Sequence, residues 1–162
     1  MCQVADRLAM PRPVIAQQLM NLVHRELEIE YLAFRRAYPM HLTIYNPLAG
    51  GLLTHRHAEA FESGSRLKDN PLYVRRYATD TMRSRVEDLR RIAERERKTL
   101  VGLAYGFLAA KKDIDSILVG PGSVGHLDDA CSALETPLSK ELVRELDQLQ
   151  IAWSGTDTHY PR

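Results

Sequence analysis

The sequence predicts an α/β fold, with parallel strands joined by helices, that amounts to part of an eight-stranded barrel. Three observations predict it. Short β-branched or apolar runs alternate with longer segments of helical periodicity, the order expected of parallel strands linked by crossovers. The strands found are three, and a parallel sheet that small buries both faces only if something covers them. The chain has 162 residues, whereas a closed barrel of this type typically takes about 250.

Val14 to Ala16, just after Pro13, reads as a buried strand that opens the core, with Gln17 and Gln18 at its end. Glu26 to Ala37 places Leu27, Tyr31, Leu32 and Phe34 at helical spacing among charges, which predicts an amphipathic helix ended by Pro39. His41 to Tyr45 is β-branched and aromatic and reads as the second strand. Asn46-Pro47 stops it, because the residue before a proline is pushed out of helical geometry. Gly50 to Thr79 carries glycine and proline breakers and little periodicity, so it reads as a connection of about thirty residues, well above the usual length.

From Asp80 the pattern turns helical, with Met82, Val86, Leu89, Ile92 and Ala93 on one face. Thr99 caps a further helix, Leu100 to Ala110, with an apolar stripe of Leu103, Ala104, Phe107 and Leu108. Ser116 to Val119 is the third strand, followed by Gly120-Pro121-Gly122. Ser123 then caps a helix expected to bury Val124, Leu127, Cys131 and Leu134, and Ser139 caps Lys140 to Trp153, with Leu142, Val143, Leu146 and Leu149 inward.

The composition narrows the function classes. A 44% hydrophobic content suits one compact domain, and 22 basic against 21 acidic residues leave a net charge of +1. That balance argues against nucleic acid and anionic membranes as partners. The arginines between Arg83 and Arg97 are interleaved with Glu87, Asp88, Glu94 and Glu96 at helix-pairing distances and read as a solvated face. No stretch approaches the roughly 18 apolar residues that span a bilayer, and MCQVADRLAMPRP lacks a signal-peptide core. With Cys2 and Cys131 far apart, a soluble, cytoplasmic protein is expected. His55-x-His57 lacks a third metal ligand of fitting spacing, and His24, His41 and His159 form no constellation.

Ligands of parallel α/β folds sit at the carboxyl ends of the strands. The three ends present Gln17, then Tyr45 and Asn46 with Gly50-Gly51, then Gly120 and Gly122 with the Ser123 helix. Glycines let a backbone approach a bulky ligand, and the N–H groups at a helix start favour an anion such as phosphate. Tyr45 offers a face for stacking a heterocycle, and Gln17 an amide that both donates and accepts. Together these suit a nicotinamide nucleotide. Taken singly, a strand-end tyrosine also serves as core filler and a glycine loop as a simple turn.

IYNPLAGGLLT, following QQLMNLVHRELEIEYLAF, resembles the sixth and seventh strand region of the aldo-keto reductases, nearest their aflatoxin-aldehyde-reductase and potassium-channel beta-subunit branches. Gly64-Ser65-Arg66, LVGPGSVGHLDDA and the terminal Tyr160-Pro161-Arg162 extend the likeness over essentially the whole chain from Pro13. The resemblance implies the C-terminal portion, about strands six to eight with their helices, of a (β/α)8 TIM barrel. Residues 1–162 would then be a partial NADP-dependent oxidoreductase domain.

The resemblance further implies NADPH as cofactor. Gln17 would meet the nicotinamide carboxamide and Tyr45 would stack on its ring. Asn46, Leu48 and Gly50 would line the pyrophosphate path, Arg56 would pair with phosphate, and Arg66 would sit near the adenosine 2′-phosphate. Gly120, Gly122, His126 and Asp129 fall on cofactor-contact positions. Relatives commonly carry serine at Gly122, glutamine or arginine at His126 and asparagine at Ala130, so those contacts differ here.

The family's catalytic aspartate, tyrosine, lysine and histidine belong to the first half of the barrel, so no catalytic residue is assigned in this chain. Two functions follow. One is a reductase acting on a small-molecule carbonyl substrate, with this chain as its cofactor-gripping half and a second chain or further sequence supplying the rest of the barrel. The other is a non-catalytic remnant that serves as a nucleotide-binding or protein-interaction module.

Overall fold

The computed structural model describes residues 1–54 and 70–155. Three parallel strands form one sheet in the order β1-β2-β3, where β1 is Ile15–Leu19, β2 is His41–Tyr45 and β3 is Ser116–Ile117. Ile15 pairs with His41 and Leu19 with Tyr45, while Thr43 and Ile44 pair with Ser116 and Ile117. Seven α-helices are described: α1 Cys2–Arg7, α2 Tyr31–Ala37, α3 Pro71–Tyr77, α4 Asp80–Arg95, α5 Leu100–Ala109, α6 Val124–Glu135 and α7 Lys140–Ser154. None of these helices is long and apolar enough to cross a membrane.

Several elements fall where the sequence places them, for the expected reasons. β2 matches its predicted span, with Leu42 and Ile44 fully buried. Thr99, Ser123 and Ser139 cap their helices as expected, accepting the N–H of Gly102, His126 and Leu142, and Thr79, not singled out in the sequence, caps α4 by accepting the Met82 N–H. Val86, Leu89, Ile92 and Ala93 of α4 enter the core with Leu103, Ala104, Phe107 and Leu108 of α5 and Leu142 and Leu146 of α7.

Other boundaries move. β1 begins one residue later than expected and runs on through Gln17 and Gln18 to Leu19, so these glutamines are strand residues. The helix expected over Glu26 to Ala37 divides into a 3₁₀ turn, Glu26–Glu28, and α2. Leu27 is buried and Arg25 is tied to Glu28 and to α7, whereas α2 buries no residue fully and only leans Tyr31 and Leu32 on the same core. Within the long connection lies α3, started by Asn70, whose side chain accepts the Leu72 N–H, with Pro71 in the first turn.

The expected face of α6 is corrected. Val124 and Leu127 are 76% and 43% exposed and Cys131 is exposed, while Ala130 and Ala133 are buried and Leu134 is half-buried. The helix packs against Tyr105 of α5 through small side chains, which permit a close approach, and the bulkier apolar residues turn outward.

Among the described residues, helices cover one sheet face, and the other is exposed to half-buried. Alternation along a strand puts Ala16 and Gln18 on the same side as Leu42 and Ile44, toward the helices. On the other side stand Ile15, Gln17, His41, Thr43, Tyr45 and Ser116, none of them fully buried, and Ile15 is 63% exposed. Parallel sheets are normally covered on both faces. This three-stranded fragment is consistent with part of a barrel.

Candidate functional site

The loop leaving β2 is built from unusual backbone. Asn46, Ala49, Gly50 and Gly51 have φ of 59°, 51°, 70° and 103°, in the left-handed region that L side chains other than Asn seldom adopt. Gly51 has open space around it, so its requirement for glycine is conformational. Pro47 and Ala49 are buried beneath the turn, and the Gly51 and Leu53 N–H groups donate to the Leu48 carbonyl at 3.0 and 3.1 Å.

Asn46 organises this turn. Its side-chain oxygen accepts the Gly50 N–H at 2.6 Å, and its amide nitrogen donates to the Tyr77 hydroxyl at 2.8 Å. Its carbonyl accepts from the Ala49 N–H and from the Asn21 side chain, both at 3.1 Å. Asn21, fully buried after β1, closes its own turn by accepting the Val23 and His24 N–H groups at 3.1 and 2.9 Å. Tyr77 is also fully buried, its ring 5.1 Å from that of His24, and burial pushes its phenol up from the ordinary range.

Each expected site residue has a definite place. Tyr45 ends β2 half-buried, on the same sheet face as Gln17, which is exposed and pairs in register with Thr43. Asn46 and Gly50 are half-buried in the turn. Leu48 packs both with the main core and with the Tyr105, Ala130 and Ala133 cluster, against which Val119 also packs, so the loops after β2 and β3 share that cluster. Gly120, Gly122, His126 and Asp129 are all exposed along that second loop and the first turns of α6, where a methyl on Gly122 would lie 3.5 Å from His126 Nδ1. The Ser123 cap already accepts the His126 N–H at 3.2 Å. Arg56, Arg66, Gly64-Ser65-Arg66, His55, His57, His159 and the terminal Tyr160-Pro161-Arg162 lie outside the described residues.

Two carboxyl ends of adjacent strands thus meet, one supplying an aromatic ring and a tight glycine turn, the other an exposed glycine loop that opens a helix. Asn21 and Tyr77, which hold the first of these ends through Asn46, are not among the residues the sequence singles out. An asparagine two residues past a strand was the available signal for Asn21, since its side chain can bond the backbone two and three residues on. Nothing local marks Tyr77. Among the described residues, no group of three His, Cys, Asp or Glu side chains could hold a metal ion.

A family model for the aldo/keto reductase family matches residues 1–151. The chain belongs to the aldo/keto reductase family. Among its relatives is Aldo-keto reductase pigE of Monascus ruber, 29% identical over 161 residues, covering 90% of this chain and 47% of the relative. A probable voltage-gated potassium channel subunit beta of Oryza sativa subsp. japonica is 27% identical over 150 residues, covering 89% of this chain and 46% of its own length. A putative aryl-alcohol dehydrogenase of Schizosaccharomyces pombe is 33% identical over 136 residues, covering 82% and 37% respectively. This aldo-keto reductase chain spans about half the length of the curated relatives it matches. Its family and the potassium-channel beta-subunit likeness agree with the resemblance seen in IYNPLAGGLLT.

Proposed function

We propose that this chain is the NADPH-holding portion of an aldo-keto-reductase-type oxidoreductase that reduces an aldehyde or ketone to an alcohol in the cytoplasm. The observation that carries the reading is the meeting of the Tyr45–Gly51 turn and the Gly120–Ser123 loop at the carboxyl ends of neighbouring strands, in a chain of this family. The residues present fit such a cofactor. Gly120 is exposed with open space where a side chain would be, which lets a phosphate approach the backbone at the start of α6.

In this reading Tyr45 stacks on the nicotinamide and Gln17, on the same sheet face, bonds its carboxamide. Leu48 and Gly50 line the pyrophosphate path by close approach, because the Gly50 N–H is already taken by Asn46. Asn46 shapes that path through its loop. Gly120, Gly122, His126 and Asp129 border the far side, with Arg56 and Arg66 as the phosphate-pairing cations. The bound cofactor supplies a hydride to the carbonyl carbon, and the group that protonates the oxygen comes from the family's catalytic set, outside these residues. We place residues 1–162 as about strands six to eight of a (β/α)8 barrel, the rest coming from further sequence or a second chain.

The sheet face left open among the described residues favours a second reading, a module that binds nucleotide or a partner without turnover. The two are separated by titrating the chain with NADPH and then adding an aldehyde. Saturable binding with cofactor oxidation supports the first reading, binding without oxidation leaves the second, and no binding at millimolar NADPH removes the cofactor from both.

A further inference from the structure

We infer that Asn21 is a positioning residue for this site, acting through Asn46 together with Tyr77, an inference that rests on the β2 loop being where the dinucleotide is held. Neither residue can touch a ligand in this structure, since both are fully buried. What each holds is the residue directly after Tyr45. Asn21 fixes the Asn46 carbonyl at 3.1 Å, and Tyr77 fixes the Asn46 amide nitrogen at 2.8 Å. Both ends of the Asn46 side chain and its carbonyl are thereby committed, and the residue is kept at φ 59°.

The circuit closes on itself. Asn21 forms the turn that carries His24, and the His24 ring lies 5.1 Å from that of Tyr77. A change at one member therefore reaches Asn46 from two sides. The consequence for the site is specific. Asn46 sets the direction in which the chain leaves Tyr45 and holds the Gly50 N–H at 2.6 Å, so the stacking ring and the glycine turn are presented in one fixed relation. Burial pushes the Tyr77 phenol up, and its oxygen accepts the Asn46 amide N–H. Without the clasp, a loop with four residues at positive φ would have other backbone states within reach.

The test compares the wild-type chain with Asn21→Ala, Tyr77→Phe and a distant core control, Ile92→Val, by amide hydrogen exchange at Gly50 and by NADPH fluorescence titration. Exchange at Gly50 is expected to speed up by about tenfold in Asn21→Ala, the scale of one lost hydrogen bond, although Asn21 makes no bond to Gly50. NADPH affinity is expected to fall by a similar factor. Tyr77→Phe, which removes only a hydroxyl, moves both readouts in the same direction and serves where Asn21→Ala fails to fold. Ile92→Val is expected to lower the thermal midpoint and leave both readouts at the wild-type value. NADPH binding by the wild type with no change at Gly50 in either variant overturns the positioning role alone, as does an equal change in the control. A wild-type chain that binds no NADPH overturns the dinucleotide reading and with it the ligand this positioning serves.

Discussion

At Asn46 the chain turns through the left-handed region, and the side chain that tolerates this conformation best is also the one that holds the turn together. Its neighbours follow different logics. Tyr45 is exposed enough to offer a ring face, whereas Gly51 is there because φ 103° strains any side chain. Replacing Gly51 with Ala should therefore cost about 1 kcal/mol or more in urea unfolding, with no steric contact to blame. Tyr45→Ala should weaken NADPH binding about tenfold or more, as expected for loss of a stacking partner, while Tyr45→Phe should keep it. Equal binding by Tyr45→Ala and the wild type would remove the ring from the site.

The caps and strips that define the elements were largely written in local residues, and the tertiary choices were not. Thr79, Thr99, Ser123 and Ser139 each sit before an apolar-periodic segment, and each caps. For Thr99→Ala, a loss of about 1 kcal/mol in chemical denaturation is expected, the ordinary worth of such a cap. Asn70-Pro71 carried the same kind of signal for α3, masked by the charged, aperiodic stretch around it. The face of α6 was not legible, because Val124, Leu127 and Cys131 are as apolar as a buried stripe but it is Ala130 and Ala133, with Leu134 beside them, that pack at Tyr105. Close approach also governs α5 at Gly106, where an added methyl would lie 3.0 Å from Leu138 Cγ and Cδ2 and 3.4 Å from the Thr136 carbonyl. Gly106→Ala should then lower the thermal midpoint through overpacking of about 1–3 kcal/mol, against the gain that alanine normally brings to a helix interior. A rise in the midpoint would show that Leu138 gives way.

Among the described residues, one side of the sheet is closed by helices and the other is open, and the closed side contains an ionic network. Arg25, buried among apolar side chains, donates to Glu28, to the Leu146 carbonyl and to Asp147, with its guanidinium 4.6 Å from the Phe107 ring centre. Lys111 reaches Glu28 and Asp147 at 3.0 and 2.9 Å. Burial pushes the Asp147 carboxyl up, but the bonds from Lys111 and Arg25 outweigh it and leave it below the usual carboxylate range. Asp115 is also held low, first by the Leu42 N–H and then by Arg35. Both groups have folded values below their unfolded ones, so the stability they lend is complete above about pH 4 and is lost as pH falls through the folded values. The thermal midpoint should accordingly hold near pH 6 and drop once the pH passes below about 4; a midpoint that rose there would contradict the network.

The parallel α/β architecture was legible in the order of strands and helices, and the tight turn after β2 in Asn46-Pro47 and the glycine pair Gly50-Gly51. The clasp beneath that loop was not, because it joins residues 25 and 31 positions apart in the sequence. The decisive measurement is a fluorescence titration of the chain with NADPH, paired with Tyr45→Ala. Saturable binding that the substitution weakens about tenfold is the predicted result, and no detectable binding at millimolar NADPH would contradict the central claim that these strand ends hold the cofactor.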